Sequence, residues 1–94
     1  MFDVYIIYSK SINKYYVGET VDISKRLFEH NTGLYQNAFT SKTNDWELVL
    51  KIDCKNRVIA RKIEQHIKHM KSRKYIKNLT IYPEMVEKLK SKFT

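Results

Sequence analysis

With Cys54 as its single cysteine, the chain can form neither an internal disulfide nor a multi-cysteine zinc site. A reducing, cytoplasmic setting is therefore expected. One proline and two glycines in 94 residues argue against a flexible or proline-rich linker, and no repeat or low-complexity tract is present. The longest apolar run, Val4 to Tyr8, falls far short of the ~20 residues of a membrane-spanning helix. The opening Met1-Phe2-Asp3 does not lead from basic to apolar residues as a secretory signal does. One domain spanning 1–94 is expected, with its core in about 1–79 and a last helix over about 83–93.

Acidic residues are also scarce. Ten Asp and Glu stand against eighteen Lys and Arg, giving a net charge of +8 and a pI near 9.6. The excess is concentrated between Lys55 and Lys77. Such a balance fits a polyanionic partner. A membrane surface fits less well, because no segment joins a basic face to a wide Trp, Phe and Leu face.

Asp3 to Ser9 reads as a strand apolar on both faces, which places it centrally in a sheet. Lys10 to Lys14 forms a polar turn, and Tyr15 to Thr20 is the hairpin partner. Asp22 or Ser24 can cap a helix ending near Asn31, with Gly33 just beyond it. Residues 32–45 show no period and read as a long loop. Trp46 to Asp53 is a third strand, with Trp46, Leu48, Leu50 and Ile52 expected on one side. Asn56 caps a helix with the stripe Ile59, Ile63, Ile67 and Met70. Ser72 to Leu79 reads as a shorter basic helix, and Pro83 opens a last one with Met85, Val86, Leu89 and Phe93 inward. The fold class is α+β, in the order strand, strand, helix, strand, helix, helix, helix.

Tyr5 and Tyr16, taken singly, are packing residues of strands. Arg26 and His30 change that reading. Four residues apart, they share one helix face beside the Ile23 and Leu27 stripe and point at the sheet's edge. Two phenols, a guanidinium and an imidazole gathered in a basic chain suit phosphodiester cleavage. Such a site needs a carboxylate, and Glu64, at the margin of a buried stripe, is the candidate. The alternative is a surface glutamate paired with Lys68 or Arg61. Two-metal sites cluster several acids; here they are scattered, which points to one Mg²⁺ or Mn²⁺ at most. His66 and His69 receive no role. Lys68, Lys71, Arg73, Lys74 and Lys77 read as phosphate contacts, which give affinity without sequence information.

The ordered set Asp3-Val4-Tyr5, Tyr16-Val17-Gly18, Thr20, Asp22, Arg26, Leu27, His30, Asn31, Gly33, Trp46-Glu47-Leu48-Val49, Ala60, Glu64 and Ile67-Lys68 resembles the GIY-YIG nuclease family. The likeness is to its small stand-alone bacterial members and to the N-terminal domain of excision-repair nucleases. It extends to about Leu79. Asp3 stands where the family name has glycine, and Asn78 is a stand-in for a polar asparagine that many relatives carry. The resemblance implies a three-stranded antiparallel sheet flanked by helices. It also implies a metal-dependent endonuclease site built from Tyr5, Tyr16, Arg26, His30 and Glu64, with Glu64 holding the ion and Thr20 and Asn78 nearby. The expected substrate is DNA, structured, branched or damaged, with DNA repair as setting. RNA as substrate and a nucleic-acid-binding module without cleavage are the alternatives. An unperturbed phenol titrates near ~10, so a phenolate at neutral pH needs a metal and Arg26 beside it; otherwise the phenol positions water. Which tyrosine does so is open, as is the oligomeric state.

Overall fold

The computed structural model describes residues 2–33 and 39–94. Strands β1 (Phe2–Ser9), β2 (Lys14–Thr20) and β3 (Trp46–Cys54) form one antiparallel sheet in the order β2-β1-β3. The strand that is apolar on both faces is the central one, as its sequence demands. Helix α1 (Ile23–Thr32) lies between β2 and β3 in sequence, and α2 (Arg57–Met70), α3 (Arg73–Ile81) and α4 (Pro83–Phe93) follow β3. The α+β expectation of a three-stranded sheet flanked by helices holds. Among the described residues no helix is long and apolar enough to cross a membrane.

Local chemistry sets the helix limits. The Asp22 side chain accepts from the Lys25 N–H, Asn56 from Ile59 and Ser72 from Tyr75, each meeting an otherwise unpaired first-turn donor. Gly33 closes α1 at φ 74°, where its N–H reaches the Glu29 carbonyl. Within the stretch expected to be a loop, Phe39–Lys42 makes a turn of 3-10 helix, while residues 34–38 fall outside the described part.

The sheet has two differently filled faces. One carries Val4, Ile6, Val17 and Ile52 against Ile63 and Ile67 of α2, Leu79 of α3 and Leu89 of α4. The other carries Tyr5, Ile7 and Trp46 beside Ile23 and Leu27 of α1. Two expectations are corrected here. Trp46 and Leu48 do not share a side with Leu50 and Ile52. Ile6 pairs with Leu50 but Ile7 pairs with Leu48, so Val49 is an extra residue that reverses the alternation. Met70 is not part of the buried stripe. It is 45% exposed in the last position of α2, just before Lys71 turns left-handed at φ 46° and ends the helix.

Candidate active site

Tyr5 is fully buried, and its position follows from the hairpin register, which sets Gly18 directly opposite it. The phenol lies across that glycine. A Cβ on residue 18 would come within 2.5 Å of the Tyr5 hydroxyl oxygen and 2.6 Å of the ring carbon bearing it. Only glycine leaves β2 flat enough there for the ring to cross towards α1.

Helix α1 supplies the next groups. His30 Nε2 lies 2.8 Å from the Tyr5 oxygen, and Arg26 Nε donates to that same oxygen at 3.4 Å. A guanidinium can only donate, so the phenolic oxygen accepts from Arg26, and the row is complete in the tautomer whose unprotonated Nε2 takes the phenolic hydrogen. In that tautomer the hydrogen sits on Nδ1, 2.7 Å from the Thr40 hydroxyl oxygen. Burial, with the Arg26 charge second, pulls the His30 pKa down to about 4, so the ring is neutral at neutral pH. Burial also pushes the Tyr5 phenol up to about 12; Arg26 opposes this and Tyr16 and Glu64 add to it. Tyr5 is therefore a protonated, fully engaged phenol.

Three further bonds through Trp46 brace the surroundings of Thr40. Trp46 Nε1 donates to the Thr40 carbonyl at 2.8 Å. Asn31 accepts from the Trp46 N–H at 2.8 Å and donates to its carbonyl at 3.0 Å, tying α1 to the start of β3.

Tyr16 sits beside this row, half-buried, its ring centroid 6.4 Å from that of Tyr5 and 5.3 Å from that of His30. Helix α2 reaches the same region along β2. Lys68 Nζ lies 5.4 Å from the Tyr16 ring centroid and 3.0 Å from Glu64 Oε2. The Glu64 side chain is only 17% exposed. Tyr5, Tyr16, Arg26, His30 and Glu64 are thus gathered by contact or by electrostatic influence, from β1, β2, α1 and α2. Glu19, further along β2, is bridged to Arg57 at 3.4 Å and lies 4.0 Å from Arg61, so Glu64 pairs with Lys68 and Arg61 attends a different acid.

Among the described residues no group of three or more His, Cys, Asp or Glu side chains could hold a metal ion. The donor chemistry still suits a magnesium-like ion. Mg²⁺ needs only one or two carboxylates when water and substrate phosphate complete its shell, and Glu64 is a hard, partly shielded oxygen donor already facing a cation.

Other expected residues lie elsewhere. Thr20 accepts from the Asp22 N–H at 3.2 Å and so organises the entry to α1. Arg73 is committed to the β1–β2 turn: it donates to the Asn13 carbonyl at 2.7 Å and stands 5.2 Å from the Tyr15 ring centroid. Lys71, Lys74 and Lys77 are exposed. Asn78 is half-buried on α3, and no described contact joins it to the cluster. Gly18 entered only as the last residue of the second tripeptide, with no role of its own, and Thr40 gave no signal of a site role in the sequence. A polar residue in a buried pocket shows itself only once the fold supplies its partner.

The model of the GIY-YIG catalytic domain matches residues 1–78, a span that holds every member of the cluster and stops before α4. No curated protein and no solved structure gives a match. Domains of this kind are nucleic-acid endonucleases that generally use a divalent metal. With both tripeptide positions, the helix pair Arg26 and His30 and the lone Glu64 inside a match over most of its length, this chain belongs to the GIY-YIG family.

Proposed function

We propose that this protein is a divalent-metal-dependent endonuclease of DNA that selects substrates by structure. The observation that carries the reading is the continuous row Arg26–Tyr5–His30–Thr40, with Tyr16 at its side and the Glu64–Lys68 pair beside β2. Tyr5, His30 and Thr40 are buried and Arg26 is half-buried, and such a polar row costs stability unless each member is bonded. Here that requirement is met, which holds a guanidinium, a phenol and an imidazole in fixed relation, with the Tyr16 ring packed against the last two.

In the proposed mechanism Arg26 offsets the charge that develops on the phosphoryl oxygens. Tyr5, protonated and bonded on both sides, is a positioning residue that sets the tilt of Arg26. Neutral His30 accepts the Tyr5 proton's hydrogen bond and fixes the phenol's orientation. Tyr16, which is not buried away from solvent, orients the attacking water. Glu64 would hold the ion, which when bound supplies positive charge to a non-bridging oxygen and to the leaving 3′ oxygen. Lys68 must then exchange Glu64 for a phosphate. Exposed Lys71, Lys74 and Lys77 add non-specific attraction to the backbone. A repair-type enzyme of a reducing cytoplasm fits the free, buried Cys54.

The Lys68–Glu64 ion pair favours the second reading, a binding module that does not cut. Incubation with supercoiled plasmid, branched DNA and an RNA hairpin, each with Mg²⁺, Mn²⁺ or EDTA, separates the two. The expected outcome is ion-dependent cutting of DNA, strongest on branched forms, abolished in Glu64→Ala while binding persists. Binding without ion-dependent cutting of any substrate sinks the enzyme reading, and preferential cutting of RNA sinks the assignment to DNA.

A further inference from the structure

Between β2 and the junction of α2 with α3 runs a groove of about 470 Å³. Its floor is mainly apolar, with half-buried Tyr15 and Ile76 at the surface and Val17 and Ile67 buried beneath them. Tyr15 and Tyr16 belong to its β2 wall, so it begins at the tyrosine assigned above to water orientation. Its only charged lining residues are cations, Lys14, Lys68, Lys71 and Arg73. Arg73 is fixed in place by Asn13 and Tyr15, while Lys71 stands at the turn between the helices.

We propose that this groove receives one unpaired nucleotide next to the scissile phosphate, its base on the apolar floor and its phosphates among the lysines. The inference rests on the nuclease reading and names the structural feature of the substrate. The groove lies in the size range of small-ligand pockets, about 300–1,000 Å³. It is far roomier than one phosphate requires, and it is walled by aromatic and aliphatic groups that a phosphate does not need. A paired base cannot reach that floor, because its faces are covered by its neighbours in the stack. An unpaired base exposes both faces and gains from contact with apolar and aromatic side chains. Cations around an apolar floor match a ligand that is both anionic and flat-faced, as a nucleotide is, and mismatch a basic or wholly apolar one. The first turn of α3, capped by Ser72 within the groove's lining, adds the positive end of a helix dipole on the phosphate side. Duplex with a flap, bulge or gap becomes the preferred substrate, which supplies the structure selectivity without a recognition module.

The test uses the whole chain in EDTA, so that binding is read without cutting. Two labelled duplexes of identical sequence, one blunt and one with a single bulged 2-aminopurine nucleotide, are titrated by fluorescence anisotropy, and the 2-aminopurine emission is followed. Expected are a roughly tenfold tighter binding of the bulged duplex and a fall in emission as the base stacks. In Lys71→Gly, which suits the left-handed backbone there and removes one cation, the preference should shrink severalfold. In Ile76→Glu, checked for folding by circular dichroism, it should vanish while blunt-duplex binding changes far less. Equal affinities with unchanged emission overturn the groove assignment and leave the nuclease reading standing. A preference that survives both substitutions overturns it as well. Failure to bind either duplex would count against the nucleic-acid reading itself, and against the groove with it.

Discussion

The two faces of one three-stranded sheet solve opposite problems. Towards α2, α3 and α4 the buried side chains of Val4, Ile6, Ile52, Ile63 and Ile67 are hydrocarbon. Towards α1 the sheet buries Tyr5 and, nearby, His30, Ser9 and Thr40. The first face gains stability from area removed from water. The second gives up part of that gain to hold polar atoms in a single arrangement. Both lie within about one strand's thickness of each other, so β1 alternates residue by residue between a packing role and a positioning role. The lesson is that in so small a chain stability and chemistry are divided by strand parity, not by region.

That division can be broken experimentally, and the largest effect should come from the hydrocarbon side. Ile63→Ala is expected to lower unfolding free energy by about 2–5 kcal/mol. Cleavage per folded molecule should stay unchanged, as urea titration and an assay at low temperature would show. On the other face Arg26→Ala should reverse the pattern. We expect cleavage to fall about 10²–10³-fold with an unfolding midpoint close to that of the parent; a matching loss of stability would mean that Arg26 serves the fold. Gly18→Ala sharpens the contrast at one atom. The added methyl meets Tyr5, itself held by His30 and Arg26, so a cost of about 1–3 kcal/mol should accompany nearly complete loss of cutting. Gly18→Ala combined with Tyr5→Leu should recover much of the stability and none of the activity.

The smallest effect is in pH. His30 has a pKa of about 4 in the fold against 6.5 for a solvated imidazole. Between those values the unfolded chain binds more protons, so stability is full above pH 6.5 and declines as pH falls towards 4. About 1–2 kcal/mol is expected from this residue after allowance for partial solvation. His30→Gln should flatten that window in urea titrations run at several pH values. An equal decline in the variant would assign the effect to other groups.

Much of this was legible in the residues and some was not, for physical reasons. The central place of β1 followed from its apolar character on both sides, and the limits of α1 from Asp22 and Gly33. Arg26 and His30 pointed to one face by helical spacing alone. The reversal in β3 was hidden because Trp46, Leu48, Leu50 and Ile52 alternate without a break, and the extra residue is created by pairing with Ile6 and Ile7. Thr40 was invisible because its value lies in contacts to His30 and Trp46 that are distant in sequence. Arg73 looked like its lysine neighbours until Asn13, sixty residues away, was seen to hold it. Similarly, the buried Ser9 is one of several groups bonded to Asp45, an exposed-looking acid whose pKa falls through hydrogen bonds from Ser9, then Thr43 and Ser11. The tie between the end of β1 and the approach to β3 could not be anticipated from either segment alone.

The extra residue at Val49 has one more effect. Among the described residues β3 pairs only with β1, so its outer rim is free to meet another strand. Leu48 and Val49 are partly exposed on that strand, a combination that in a flat strand would invite a neighbouring molecule to zip on. A kinked rim offers no even ladder of amides. The irregularity that lets Trp46 reach one layer and Ile52 the other thereby also leaves this margin uneven as a template for a further strand.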